Sequence, residues 1–303
     1  MKVLIVCSGN SGRIAPFILE QVESLVKLGI VADYFTIEGK GWRGYLKNRK
    51  LLIHKIRAFQ PDIIHAHYGL SGLLANTQRK VPVITTYHGS DINDPKIFPL
   101  SRLNMLLSKY NIFVSQKNID KAGLKKNYAL IPCGVDMELF KPTGKKEARQ
   151  QLKLNQNEKL ALFAGTFDNP IKNSGLAIEA VEQLPGVRLL ELKGYNRKQV
   201  VSLINAVDVC LMTSFSEGSP QFIKEAMACN CPVVSVEVGD VKEMIADVPG
   251  CYLCSYDSND LADKLQLVFS SGNRIQGREI LVKKGFDINN VAKRIIGIYN
   301  SIL

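Results

Sequence analysis

The chain has 303 residues, 46% of them hydrophobic and 22% charged, with a mean hydropathy of +0.01. That composition excludes a disordered chain and one built of membrane spans, and no apolar run approaches the roughly 20 residues that cross a bilayer. The net charge is +11, and residues 1–140 hold most of it: 19 Lys and Arg against 10 Asp and Glu, a net of +9, against +2 for the remainder. No nucleic-acid recognition motif accompanies this charge. A length above 300 residues exceeds what one core usually serves, so two domains are expected.

The N-terminal stretch KVLIVC reads as a buried strand and is too short for a signal-peptide core. An amphipathic helix pattern, IAPFILEQVESLVKLG, follows it, and then a strand, VADYFTI. Further strands are predicted at Asp62–His65, Pro82–Thr86, Asn111–Ser115 and Tyr128–Ile131. Residues Cys133–Lys159 combine Pro, Gly and dense charge and read as a linker. A second series starts at Leu160–Gly165 and continues near Val187–Leu192, Val209–Met212, Pro232–Val236 and Cys251–Cys254. Short β-branched runs alternating with amphipathic ones predict parallel sheets with crossover helices. The fold class is therefore α/β, two doubly wound domains with ligands expected at the carboxyl ends of the strands and in the cleft between the domains. The last helix, 288–303, is amphipathic and is expected to pack back on the first domain.

Seven cysteines at irregular spacing, without an export signal, point to reduced thiols in the cytoplasm. Cys229, Cys231, Cys251 and Cys254 have the separation of a zinc tetrathiolate but lie in apolar strand-like runs without knuckle glycines, so they are expected to be small buried hydrophobes and no metal is expected.

The most informative stretch is SFSEGSPQFIKE, Ser214–Glu225, with carboxylates at Glu217 and Glu225. Ser219 before Pro220 reads as a cap followed by the first helical residue. The helix start, preceded by Gly218, then offers amides and a positive dipole end to a phosphate or diphosphate. Ile223, Ala226 and Met227 form the apolar face, and Glu225 lies off it beside Gln221. Two acids flanking an anion site suit the hydroxyls on either side of a diphosphate, a sugar at one end and a ribose at the other. A capped surface helix with a solvated Glu225 is one alternative, and a glycosidase pair of acid and nucleophile is another.

These residues resemble the E-x7-E motif of the retaining glycosyltransferases of family 4, which have the GT-B fold. The blocks PDIIHAHYGLSG, PVITTYHGSDIND, IPCGVDMELFKP and FAGTFDNPIKNSGLAIEAV agree with that family in order, so the resemblance covers most of the chain. It implies a GT-B architecture: an acceptor-binding Rossmann-like domain at 1–140 and a nucleotide-sugar-binding one at 141–287. By the same resemblance Glu225 holds the nucleotide ribose and Glu217 contacts the transferred sugar. The backbone at Gly218, Ser219 and Pro220 meets the diphosphate, and Lys172 grips it. The family usually carries an arginine six residues before that lysine, where this chain has Thr166. A hydroxyl lacks the bidentate guanidinium contact, so the site is expected to lean on Lys172 and the helix end.

His88 in TYHGSDIND matches the family's HG motif, whose histidine lies by the donor sugar. The loop CSGNSGR resembles the family's first glycine loop and puts Gly12 near the donor. Arg13, Tyr68 and Asp91 are expected on the acceptor side. Transfer is expected at one face of the sugar, the leaving diphosphate oxygen taking the acceptor proton, so no cofactor is required beyond a nucleotide-sugar donor, a UDP-sugar from family frequency. Neither a Ser-His-Asp set nor a metal cluster competes with that reading.

Residues Lys40–Arg57 carry seven Lys and Arg and no acid, interleaved with Trp42, Tyr45, Leu46 and Leu51–Ile53. Such a segment suits either an anionic membrane surface or a solvated helix face. Together these readings give a cytoplasmic hexosyl transferase, peripheral on the inner face of the cell membrane, that glycosylates a glycan or lipid-linked acceptor in surface polysaccharide or glycolipid synthesis. Nucleic acid is not an expected partner. Thr166 motivates the rival reading, a catalytically inactive sugar-nucleotide-binding protein.

Overall fold

A computed structural model describes residues 1–303. It divides into two units, Met1–Gly134 with Ile288–Leu303, and Val135–Asp287. In the first, the order is β1 (Lys2–Ser8), α1 (Pro16–Lys27), β2 (Val31–Ile37), α2 (Gly41–Lys47), α3 (Arg49–Phe59), β3 (Ile63–His67), α4 (Gly69–Ala75), β4 (Val83–Tyr87), α5 (Ser90–Asn93), α6 (Phe98–Leu107), β5 (Tyr110–Phe113), α7 (Gln116–Ala122) and β6 (Tyr128–Leu130). The second holds α8 (Lys145–Gln151), β7 (Lys159–Phe163), α9 (Ser174–Glu182), β8 (Val187–Leu190), α10 (Arg197–Ala206), β9 (Val209–Met212), α11 (Gln221–Ala228), β10 (Val233–Val236), α12 (Val241–Ile245), β11 (Tyr252–Cys254), α13 (Ser258–Ser271) and α14 (Gly277–Lys283). The final helix, α15 (Ile288–Ile302), belongs to the first unit.

Every strand pairing is parallel. The sheets run β2-β1-β3-β4-β5-β6 and β11-β10-β9-β7-β8. Numbered within its unit, each contains the order 2-1-3-4-5, with the first unit adding a sixth strand. The direction of winding reverses between β1 and β3 in one and between β7 and β9 in the other, and such switch points open a crevice at the carboxyl ends of the strands. β3, β4, β9 and β10 are buried along their whole length. Helices on both faces explain why these strands are buried at every position instead of alternating between core and solvent.

The segment expected to be a linker is folded. Val135 and Phe140 are fully buried, and Arg149 on α8 is 2% exposed. Its guanidinium donates to the carbonyls of Ala206, Asn155 and Gln156 at 2.6–3.1 Å and to Asp208 at 3.1 Å. A buried cation persists where its donors are used in this way. The charge density of this segment pointed to solvent, whereas one of its charges is a structural centre of the second unit. All seven cysteines are free and buried, and Cys229, Cys231, Cys251 and Cys254 pack in the second unit's core.

In the first unit α15 buries Ile288, Val291, Ala292, Ile295, Ile298 and Tyr299. The Tyr299 hydroxyl lies 2.6 Å from Nδ1 of fully buried His65, whose Nε2 meets the Thr86 hydroxyl at 2.7 Å. Burial pushes the imidazole of His65 down to about 3, so it is neutral. Tyr299→Phe leaves one ring nitrogen of His65 without a partner and should destabilise the protein by about 1–3 kcal/mol, as read from denaturant unfolding.

Candidate active site

In the second unit the site is built on the loops that leave β7 and β9. Gly165 follows β7, and a Cβ there would stand 2.9 Å from Cγ of Lys172. The missing side chain is what lets the lysine stem lie across the loop. A 3-10 turn, Pro170–Lys172, carries that lysine, with the Asn169 side chain accepting from the Ile171 N–H. The Thr213 hydroxyl, just past β9, lies 3.0 and 2.8 Å from the carbonyls of Lys172 and Asn173, and the Phe215 N–H donates to Ile171. The two loops are thereby sewn together. The Lys172 ammonium donates to Oε1 of Glu217 at 2.6 Å, both side chains being largely shielded from solvent.

The start of α11 differs from the expected cap. Its first residue is Gln221, and the flanking residue, Pro220, makes no capping hydrogen bond. The Ser219 hydroxyl instead donates to Oδ2 of Asp240 at 2.6 Å. Burial raises the carboxyl of Asp240 above its ordinary value, and a buried acid takes whatever donor is in reach. Gly239, at φ +59°, brings this acid close, since a Cβ there would stand 2.6 Å from the carbonyl oxygen of Gly218. The consequence is a helix start that its flanking residue does not cap, a few residues from an ammonium.

Glu225 lies off the apolar stripe of α11 yet is nearly buried: it is 4% exposed and accepts from Nη2 of Arg197 at 2.8 Å. Arg197 opens α10 and stands 4.6 Å over the Phe140 ring. Each acid of the E-x7-E pair is thus held by a cation, Glu217 by Lys172 and Glu225 by Arg197. The Lys193 ammonium, donating at 2.9 Å, and after it the Thr166 hydroxyl draw the carboxyl of Asp168 below its usual value.

In the first unit a cavity of about 490 Å³ lies at the carboxyl ends of β1 and β3. Asn10, Arg13, Tyr45, Tyr68, Ser90 and Asp91 are among the residues lining it. The loop after β1 is held by Asn10, whose side chain donates to the carbonyl of Gly39 and accepts from its N–H, both at 2.8 Å. Gly12 sits in that loop at φ +73°. Tyr68 adopts φ +73°, ψ 148°, a region that costs a side-chain-bearing residue on the order of 1–3 kcal/mol. Asp91 stabilises this turn by accepting from Gly69 at 2.9 Å and from His88 and Gly89 at 3.1 Å.

His88 packs against Tyr68, Phe17 and His67, with ring centroids 4.7–5.2 Å away. Its Nε2 is 3.0 Å from Nδ1 of His67, and its Nδ1 is 3.6 Å from the sulfur of Cys133. Burial holds His67 neutral, and its Nε2 is buried without a partner. An unpaired lone pair costs less than an unpaired N–H, so the single proton is assigned to Nδ1, donating to His88. Both ring nitrogens of His88 therefore face protein atoms.

The structure brings together Lys172 with Glu217, Gly218 to Pro220 beside them, and, separately, Arg13, Tyr68 and Asp91 around one cavity. Sequence reasoning missed Arg197, His67 and Asp240. Arg197 and Lys198 do leave a signal, two cations in the first turn of a helix, where the dipole disfavours positive charge.

Two sequence-family models match the chain, Glycosyltransferase Family 4 over residues 1–139 and Glycosyl transferases group 1 over residues 174–271. A D-inositol 3-phosphate glycosyltransferase of Mycobacterium marinum is 25% identical, aligning with 71% of this chain and 57% of its own. A putative teichuronic acid biosynthesis glycosyltransferase of Bacillus subtilis is 26% identical, with shares of 63% and 57%. The chain thus spans less than two thirds of the length of these curated relatives. Among solved structures, sucrose-phosphate synthase from Thermosynechococcus elongatus superposes with a TM-score of 0.86 at 19% identity, covering 99% of this chain and 98% of that one. HepE from Anabaena, solved in complex with UDP, gives 0.79 at 18%, covering 99% and 100%.

Two parallel-sheet Rossmann-like units of this order are the fold of the GT-B glycosyltransferases. The chain belongs to glycosyltransferase family 4. No helix is long and apolar enough to cross a membrane.

Burial raises the carboxyl of Asp91 to about 6, its backbone N–H partners holding it back from rising further. An acid with a folded-state value above its unfolded one binds its proton more tightly when native, so its contribution to stability is greatest at low pH and falls as pH rises to about 6. The unfolding free energy of wild type relative to Asp91→Asn should fall by on the order of 2–3 kcal/mol between about pH 4 and 6.5 and then level off. A difference that stays flat across that window would show that the N–H groups fully offset burial.

Proposed function

We propose that the protein is a retaining glycosyltransferase that moves a hexosyl group from a nucleotide-diphosphate sugar to a glycan or lipid-linked acceptor. The observation that carries this reading is the Lys172–Glu217 pair at 2.6 Å beside the uncapped start of α11, at the switch point of the second sheet. The second unit binds the donor and the first binds the acceptor. Lys172 and the amides of α11 receive the diphosphate and stabilise the charge that builds on it as it leaves. Glu217, until then paired with the lysine, turns to the transferred sugar, and Glu225 takes the ribose hydroxyls. The acceptor sits in the cavity lined by Arg13, Tyr68 and Asp91. In the first unit His88 and Gly12 belong to loops around that cavity.

The chemistry needs no enzymic base. The acceptor oxygen bonds to the anomeric carbon on the face from which the diphosphate departs, the bond to the diphosphate oxygen breaks, and that oxygen takes the acceptor's proton. UDP is the first nucleotide to test, since a structural neighbour, HepE, was solved with UDP and with UDP-glucose. The test is thermal stabilisation by UDP, GDP, ADP and their sugars. A ligand at 100 times its Kd adds about 2.7 kcal/mol of stability. One nucleotide class should raise Tm, and the shift should vanish in Lys172→Ala and Glu225→Ala. Nucleotide release that requires an added acceptor then separates an enzyme from an inactive binder, and hydrolysis of aryl glycosides without any nucleotide effect would overturn both.

The same reading places the protein in the cytoplasm, at the inner face of the membrane. Its support is α2, which buries no residue, and the exposure of Trp42 at 48% and Leu51 at 64% among the seven cations of residues 40–57. Phosphatidylglycerol vesicles should co-sediment the protein at low salt and release it at high salt, each cation near the surface contributing about 1 kcal/mol. Neutralising Arg43, Lys47 and Lys50 should abolish this, and equal sedimentation with phosphatidylcholine alone would refute it.

A further inference from the structure

We propose that Arg197 is a positioning residue that fixes Glu225 for recognition of the nucleotide's ribose, so that it sets the discrimination between ribose and deoxyribose donors. The inference rests on the donor-site reading given above. Arg197 takes only one oxygen of the carboxylate, Oε1 at 2.8 Å. The other, Oε2, has no protein donor and retains contact with solvent although the residue is 4% exposed. A carboxylate held by one oxygen with the other presented outward is arranged to accept from a ligand hydroxyl.

The arginine is itself fixed from three directions. A reciprocal capping box sets the start of α10: Asn196 accepts from the Gln199 N–H at 3.0 Å and the Gln199 side chain accepts from the Asn196 N–H at 3.0 Å. Arg197 is the next residue, and its guanidinium lies 4.6 Å over fully buried Phe140. A planar cation against an aromatic face has its orientation restricted, so it delivers its hydrogen bond without a large loss of freedom. A basic residue at a helix N-terminus is a local cost, because the dipole there disfavours positive charge. Here the ion pair to a nearly buried carboxylate offsets it, and a broken local rule of this kind accompanies functional sites.

The experiment measures binding of UDP, GDP and ADP and of their 2′,3′-dideoxy counterparts to the full chain and to Arg197→Met and Arg197→Lys. Wild type should bind its preferred ribonucleotide more tightly than the dideoxy form by about tenfold or more, the worth of one hydrogen bond to a charged group. Arg197→Met keeps the stem over Phe140 and should bring the two affinities to within about threefold, chiefly by weakening the ribonucleotide. Arg197→Lys should restore part of the preference, since an ammonium attracts the carboxylate without the planar geometry. If Arg197→Met weakens both ligands equally and leaves the preference intact, the arginine is merely structural and the proposal fails while the donor-site reading stands. Wild type that binds none of the three nucleotides overturns the donor-site reading, and the positioning role with it.

Discussion

A parallel sheet covered on both faces makes an unpaired polar group along its strands costly, and this constraint organises the molecule. β3, β4, β9 and β10 are buried from end to end, so a polar side chain on them persists only if it finds a partner inside. His65 does so at both ring nitrogens, with Tyr299 and Thr86, and His67 at one, with His88, its proton assigned to that side. Chemistry that must meet a ligand is left to the carboxyl ends, and at the switch points the loops diverge enough to form a crevice. Both units place their candidate residues there, the first around the loops after β1 and β3, the second around those after β7 and β9.

Removing charge from water sets the finer geometry. Glu225 is nearly buried and is held by Arg197; Glu217 is shielded and is held by Lys172; Asp240 draws Ser219 away from the helix it would have capped. Buried carboxylates take the donors in reach, and under the proposed function each choice leaves something for a ligand: a helix start that Ser219 does not cap, an ammonium that would trade its carboxylate for the diphosphate, and the second oxygen of Glu225. Arg149 is the contrasting case. Its partners are three carbonyls and Asp208, all within the second unit, and it serves the fold.

Much of this was legible along the chain because it rests on local pattern. Val31–Ile37 and Val209–Met212 form the strands that their β-branched runs predict, and the other strands lie within a few residues of expectation. The motif residues Lys172 and Glu217 were selected by spacing and by family resemblance, and they meet in space. Residues 133–159 were misread because density of charge is a proxy for solvent exposure, and it failed where one arginine found four acceptors. Ser219 was misread because the Ser-Pro signal is local, whereas its competitor Asp240 stands 21 residues away.

By itself the sequence determined the class of the fold, through alternating apolar runs and helical periods, and the candidate loops, through short motifs at fixed spacing. Both depend on contacts between neighbours in the chain. Only the tertiary structure decided which cation holds which acid, that Tyr299 and His65 meet across 234 residues, and that Arg197 pairs with Glu225. Those pairings follow from the energy of buried polar groups, which depends on every donor within reach of the folded site and so leaves no periodic trace in the order of residues.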